Sequence, residues 1–162
     1  MAKSSAEIFD TTGIPINEDA CIVIVRTAWN KNYLDELEKG CVEVLKQNDV
    51  KYIILEVPGA VEINFIIQHY WSTHLHQKPA AFIALGCVIK GDTPHFDYVC
   101  SSITQGVTQL NLQLPVPVIF GVLTVNNEQQ ALERLGGIHG HKGREAAATA
   151  IKMIALADSF KQ

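Results

Sequence analysis

No apolar run in this chain approaches the roughly 20 residues of a membrane-spanning helix. The opening Met1-Ala2-Lys3-Ser4-Ser5-Ala6-Glu7 also lacks the apolar core of a signal peptide. A cytoplasmic location without a membrane partner is expected. Basic runs are missing too. Thirteen Lys and Arg stand against 17 Asp and Glu, a net charge of −4, which argues against nucleic acid as the main partner. Cysteine is scarce: Cys21, Cys41, Cys87 and Cys100 form no C-x-x-C pair and lie in apolar patterns, so they read as reduced core thiols rather than disulfides or metal ligands. Only 19% of residues are charged, less than in an ordinary soluble domain, and subunit interfaces would account for that. No repeat or low-complexity tract divides the 162 residues. The expected organisation is an N-terminal arm over residues 1–19, where Gly13 and Pro15 break any helix, and one domain over 20–162 with a sizeable core.

What is present alternates in character. Cys21–Val25, Tyr52–Val57, Ala80–Ile89 and Pro117–Leu123 are apolar, β-branched runs suited to buried strands. Between them, Asn32–Gln47 carries Leu34, Leu37, Cys41, Val44 and Leu45 at helical spacing. Ile63–Trp71 is apolar nearly all round, which suggests a helix buried on two sides, one of them a further subunit. Helices are also expected from Pro94 to Gln113, from Asn126 to about Leu135, and from Glu145 to Ala157, with Gly140–Gly143 as a loop. His74-Leu75-His76 has the spacing of a metal pair but no third ligand nearby, and reads as a polar surface loop. Strands alternating with helices imply right-handed crossovers and a four-stranded parallel sheet flanked by helices, an α/β three-layer sandwich. The carboxyl ends of its strands then share one edge, where such sheets place ligands.

The stretch Gly86-Cys87-Val88-Ile89-Lys90-Gly91-Asp92-Thr93-Pro94-His95-Phe96-Asp97 reads as strand, turn and helix. Thr93 is a good N-cap and Pro94 suits the first helical position, which puts His95 in the first turn. Free amides and the positive end of the helix dipole make that turn a natural anion site, so a titratable imidazole stands beside an anion cradle. Taken alone, capping and a solvated His would explain the same residues.

Together with Val57-Pro58-Gly59-Ala60-Val61-Glu62-Ile63, Pro117-Val118-Ile119-Phe120-Gly121-Val122-Leu123-Thr124, and Lys142-Gly143 with Glu145-Ala146-Ala147, this stretch resembles the lumazine synthase family over roughly residues 20 to 158. The resemblance implies a flavodoxin-like fold. The implied reaction condenses 5-amino-6-(D-ribitylamino)uracil with 3,4-dihydroxy-2-butanone 4-phosphate to 6,7-dimethyl-8-ribityllumazine, releasing phosphate and water in riboflavin biosynthesis. It further implies a homo-oligomer, pentameric rings that in some members build icosahedral shells, active sites between neighbouring subunits, riboflavin synthase as a partner, and no cofactor or metal.

On that resemblance His95 matches the proton-transfer residue, and Trp29 the aromatic that stacks on the pyrimidine. Ala60, Val61 and Glu62 match the ribityl-binding stretch. Cys87, Val88 and Ile89 match the strand end along which the pyrimidine lies, and Phe120 the second aromatic contact. Asp92 and Thr93 match the phosphate-side turn, with the Asp92 backbone rather than its carboxylate facing the ligand. Arg134 matches the phosphate-binding arginine of the adjacent subunit, and Lys142 a basic residue beside it. Val61 and Asn64 stand where the family more usually has an aromatic residue and Pro. A non-catalytic shell or carrier for lumazine or flavin would use the same fold, but would need neither His95 nor Arg134.

Overall fold

Each β-branched run becomes a strand and each amphipathic run a helix in the computed structural model, which describes residues 5–161. The first four residues of the expected arm, and Gln162, lie outside the described residues. The elements run α1 (Ser5–Ile8), β1 (Cys21–Thr27), α2 (Lys31–Gln47), β2 (Lys51–Val57), α3 (Ala60–Thr73), β3 (Ala81–Ile89), α4 (His95–Gln113), β4 (Val118–Val125), α5 (Glu128–Glu133), β5 (Leu135–Gly137), β6 (Gly140–His141) and α6 (Lys142–Ser159). The main sheet is parallel throughout, in the order β2-β1-β3-β4, and helices cover it in a flavodoxin-like α/β arrangement. No helix among the described residues is long and apolar enough to cross a membrane.

Alternation along the central strands divides the core into two layers, because successive side chains of a strand point to opposite faces. Ile22, Ile24, Ile83 and Leu85 pack with Leu34, Leu37 and Leu45 of α2 and Ile151 and Ile154 of α6. Val23, Val25, Phe82 and Ala84 pack with Ile63 and Ile67 of α3 and Ile103 and Val107 of α4. Each fully buried Leu, Ile or Phe contributes about 1.5–3 kcal/mol of transfer free energy, so these layers dominate stability. β2 departs from the expected two-sided burial. It is an edge strand whose Ile53 and Ile54 are 41% and 37% exposed.

Several boundaries move, each for a physical reason. β1 continues through Arg26 and Thr27, expected in its exit loop. Arg26 is admitted to the interior because carboxylates converge on it: it donates to Glu38 at 2.6 Å and to Asp35 at 2.9 Å, and Glu56 lies 3.4 Å away. Burial opposes the guanidinium charge, but the hydrogen bonds it donates to Glu38 and Asp35, with their negative charge, outweigh it and hold the pKa above its usual value. The segment before Asp19 is not held apart from the core. Ser5–Ile8 forms one helical turn, and Phe9, Ile14 and Ile16 rest on the α2/α6 layer. Gly140-His141 is not loop but pairs antiparallel with Leu135–Gly137, and Lys142-Gly143 opens α6. The cysteines are all free thiols, but only Cys41 and Cys87 are fully interior; Cys21 and Cys100 are half-buried. Burial raises the Cys41 thiol to about 12.

Helices α2 and α6 touch most closely where side chains vanish. A Cβ on Gly143 would come within 2.0 Å of the Leu37 carbonyl oxygen, a backbone atom that cannot swing aside. Gly143→Ala is therefore expected to destabilise by about 3 kcal/mol, the upper end for overpacking. That corresponds to roughly 6–12 °C in thermal unfolding at fixed protein concentration. An unchanged melting temperature would show that the helices part without cost.

His141 fills the neighbouring gap, its ring lying where a Cβ on Gly40 would stand, and its Nδ1 accepts the Arg144 N–H at 3.4 Å. Burial first, and the Arg144 charge next, hold this imidazole below its ordinary 6.5. Below that pH the unfolded chain takes up a proton that the folded chain resists. Stability should then fall as pH drops beneath 6.5, and level off once pH passes the folded value. Urea unfolding of the parent and of His141→Gln across this acid range checks the sign: the variant should lose part of the slope, and identical slopes would remove His141 as its source.

Candidate functional site

The carboxyl ends of β1, β2 and β3 open into one cleft of about 510 Å³. Its wall is supplied by Trp29 and Asn30 after β1, Gly59–Glu62 at the start of α3, Cys87–Ile89 at the end of β3, and Thr93, His95, Phe96 and Val99 around the start of α4. The cleft exists because the β1–β3 ladder stops at Arg26 and Leu85, whereas β3 stays paired with β4 as far as Ile89 and Val125. Beyond Leu85 the two strands part.

Trp29 stands at the mouth, 73% exposed, on a short loop held by its backbone: Ala28 N–H donates to Val57 O at 2.8 Å and Trp29 N–H to Pro58 O at 3.1 Å. Opposite it, α3 begins at Ala60, so Ala60, Val61 and Glu62 form its first turn rather than a separate segment. The Glu62 N–H turns back to Gly59 O at 3.3 Å, and the positive end of the helix dipole there favours an acceptor-rich or anionic group. Asn64, three residues past Val61, turns from the cleft toward Gly106 of α4 and donates to Ser102 O at 3.4 Å.

On the β3 side α4 starts at His95, one residue later than expected, because Pro94 rather than Thr93 takes the cap position; the Thr93 hydroxyl accepts the His95 N–H at 3.4 Å, and the exposed imidazole faces the cleft. Cys87 is interior, and burial pushes its thiol up to about 11, which makes it a neutral wall rather than a nucleophile. Asp92 lies exposed in the turn, outside the residues lining the cleft.

Phe120, Arg134 and Lys142 are elsewhere. They line a second cleft of about 440 Å³ with Val122–Val125, Gln130, Glu133 and His139, and the two linings share no residue. Arg134 ends α5, and its carbonyl accepts the Lys142 N–H at 2.8 Å, while Leu135 pairs with His141. That two-strand ribbon sets the two cations side by side although eight positions separate them in the chain. Glu133 and His139 complete the group, their side chains 3.9 Å apart. Clustered cations of this kind suit a phosphate.

Reading the sequence missed Asn30, Thr27, Phe96 and Val99 in the first cleft, and Gln130, Glu133 and His139 in the second. A polar residue directly after a strand-exit aromatic was the one available signal for Asn30. His139 had none, since its place follows from the ribbon. Among the described residues no group of three or more His, Cys, Asp or Glu is arranged to hold a metal, and His74 is stacked on Tyr70 at 3.7 Å.

The family profile described as 6,7-dimethyl-8-ribityllumazine synthase matches residues 19–158. The chain is similar to the 6,7-dimethyl-8-ribityllumazine synthase of Porphyromonas gingivalis, 45% identical over 91% of this chain and 92% of that one. The enzyme of the same name from Parabacteroides distasonis is 44% identical over 90% and 91%. That of Cytophaga hutchinsonii is 44% identical over 96% and 98%.

Proposed function

Since this chain belongs to the 6,7-dimethyl-8-ribityllumazine synthase family, we propose that its two clefts are the complementary halves of one active site, joined where neighbouring subunits meet. The enzyme is a transferase of riboflavin biosynthesis. It condenses 5-amino-6-(D-ribitylamino)uracil with 3,4-dihydroxy-2-butanone 4-phosphate to 6,7-dimethyl-8-ribityllumazine, with loss of phosphate and water.

The observation that carries the shared site is the separation itself. One cleft holds Trp29, Glu62 and His95, the other Phe120, Arg134 and Lys142, and no lining residue is common to both. In a ring each subunit would offer its first cleft to one neighbour and its second to the other. Exposed apolar side chains supply a surface for such contact: Phe65 and Val61 on α3 are 69% and 45% exposed, and Tyr98 on α4 is 74% exposed. These surfaces support a closed ring, for which the family resemblance implies five subunits.

Roles follow from position. Trp29 offers a flat apolar face to the pyrimidine against the Cys87–Ile89 strand end, with Phe120 of the neighbour as a second aromatic contact. Ala60, Val61 and Glu62 take the ribityl hydroxyls, the Glu62 carboxylate accepting their hydrogen bonds. The turn at Thr93 meets the butanone phosphate from one side, Arg134 and Lys142 from the other.

Joining amine to ketone, expelling phosphate, tautomerising and closing the ring each move a proton. An imidazole serves both directions near neutrality. Holding two substrates in contact supplies much of the rate, and the cations stabilise departing phosphate. Incubating purified protein with both substrates and following the lumazine chromophore tests the activity. A rate no greater than without protein would refute it and leave the carrier reading.

A further inference from the structure

Asn30 is held in a conformation that L residues avoid, at φ 59° and ψ 44°. Asn tolerates this region because its short amide can bond locally. Here the amide reaches farther: Nδ2 donates to the Cys87 carbonyl at 2.8 Å, across 57 residues of chain. The bond falls where the β1–β3 ladder has already ended at Arg26 and Leu85, so it takes the place of a missing rung between the parting strands. The Trp29 loop is tied to the β2 side by two backbone amides, and Thr27 Oγ1 donates to the Trp29 carbonyl at 3.3 Å. The Asn30 amide ties the same loop to β3. Trp29 itself is 73% exposed in the single chain, so the position of its ring follows its backbone frame.

We propose that Asn30 is a positioning residue that sets the spacing between the Trp29 face and the Cys87–Ile89 strand end, and hence the width of the slot that admits a flat pyrimidine. The inference rests on Trp29 being the stacking residue. Asn30 needs no contact with substrate for this role. Its amide fixes one wall against the other, and its carbonyl, accepting from Tyr33 at 3.0 Å and Leu34 at 3.2 Å, anchors that wall to α2.

Asn30→Gly and Asn30→Asp both allow the left-handed backbone and both lack the donor, so they remove the tie without straining the backbone, Asp also setting a carboxylate against the Cys87 carbonyl. In a Trp71→Phe background Trp29 is the remaining tryptophan, and its emission reports on the slot. Titration with 5-amino-6-(D-ribitylamino)uracil alone should quench the parent. Both Asn30 variants should bind it about tenfold more weakly, the scale of one lost hydrogen bond. KM for the phosphorylated ketone should stay unchanged, and kcat should fall less than pyrimidine affinity.

If the parent responds but both variants bind pyrimidine as tightly, the Asn30 role falls while stacking stands. If the parent shows no Trp29 response, and Trp29→Ala binds as well, the stacking reading falls and takes this inference with it. Equal weakening toward both substrates, accompanied by a lower melting temperature, would assign Asn30 to folding alone and overturn the proposal.

Discussion

His95→Ala is expected to lower kcat by roughly 10²–10⁴-fold, the usual share of general acid–base catalysis, while pyrimidine affinity changes little. The side chain is exposed in the first turn of α4, on the cleft wall and beside the Thr93 hydroxyl that accepts its own N–H. Nothing in the two core layers depends on it, since it packs in neither. Loss of the ring should therefore remove a proton carrier without disturbing the fold. Equal melting temperatures for parent and variant would confirm that separation. Steady-state turnover with both substrates saturating is the decisive measurement, because a binding role would raise KM and leave kcat intact. An unchanged kcat would take His95 out of the chemistry. A loss near the lower bound would mean that juxtaposing the substrates supplies most of the acceleration.

The second large effect is a recovery. Arg134→Ala should be as poor an enzyme as His95→Ala, because the leaving phosphate loses its cation on the far side of the site. Refolding the two variants together should restore activity. Under random placement, an interface drawn from equal amounts pairs an intact His95 with an intact Arg134 about one time in four, and total activity should approach that fraction of the parent. The geometry behind this is the division of the two residues between linings that share no member. Mixed oligomers proven by native mass, yet showing only the mean of the two variant activities, would place both residues in one subunit's site and end the shared-site reading. Arg134→Lys adds a useful control. A point charge without the planar fork should rescue part of the loss, as expected if phosphate is held bidentately.

Local chemistry made much of this protein legible from its residues alone. Strand runs such as Cys21–Val25 and Ala80–Ile89 have one physical outcome in an α/β chain, burial on both faces, and β1 and β3 lie at the centre of the sheet. Pro94 marks the start of α4 through its fixed φ, an effect within a few residues, although it sits at the cap position itself and the helix begins at His95. Motif order carried the family, and strand-end logic placed the first cleft.

What tertiary structure alone decided involves partners distant in the chain. Arg26 is interior because Glu38 and Glu56 arrive from other elements. Lys142 meets Arg134 because a two-strand ribbon, too short to show any periodicity, folds one back on the other. Asn30 matters because β3 passes beside it just where the ladder stops. The division of the candidate site residues between two clefts is likewise set by which strands pair and how far. Periodicity and capping report what a segment does with its own neighbours, whereas these contacts depend on where the sheet brings separate segments to rest.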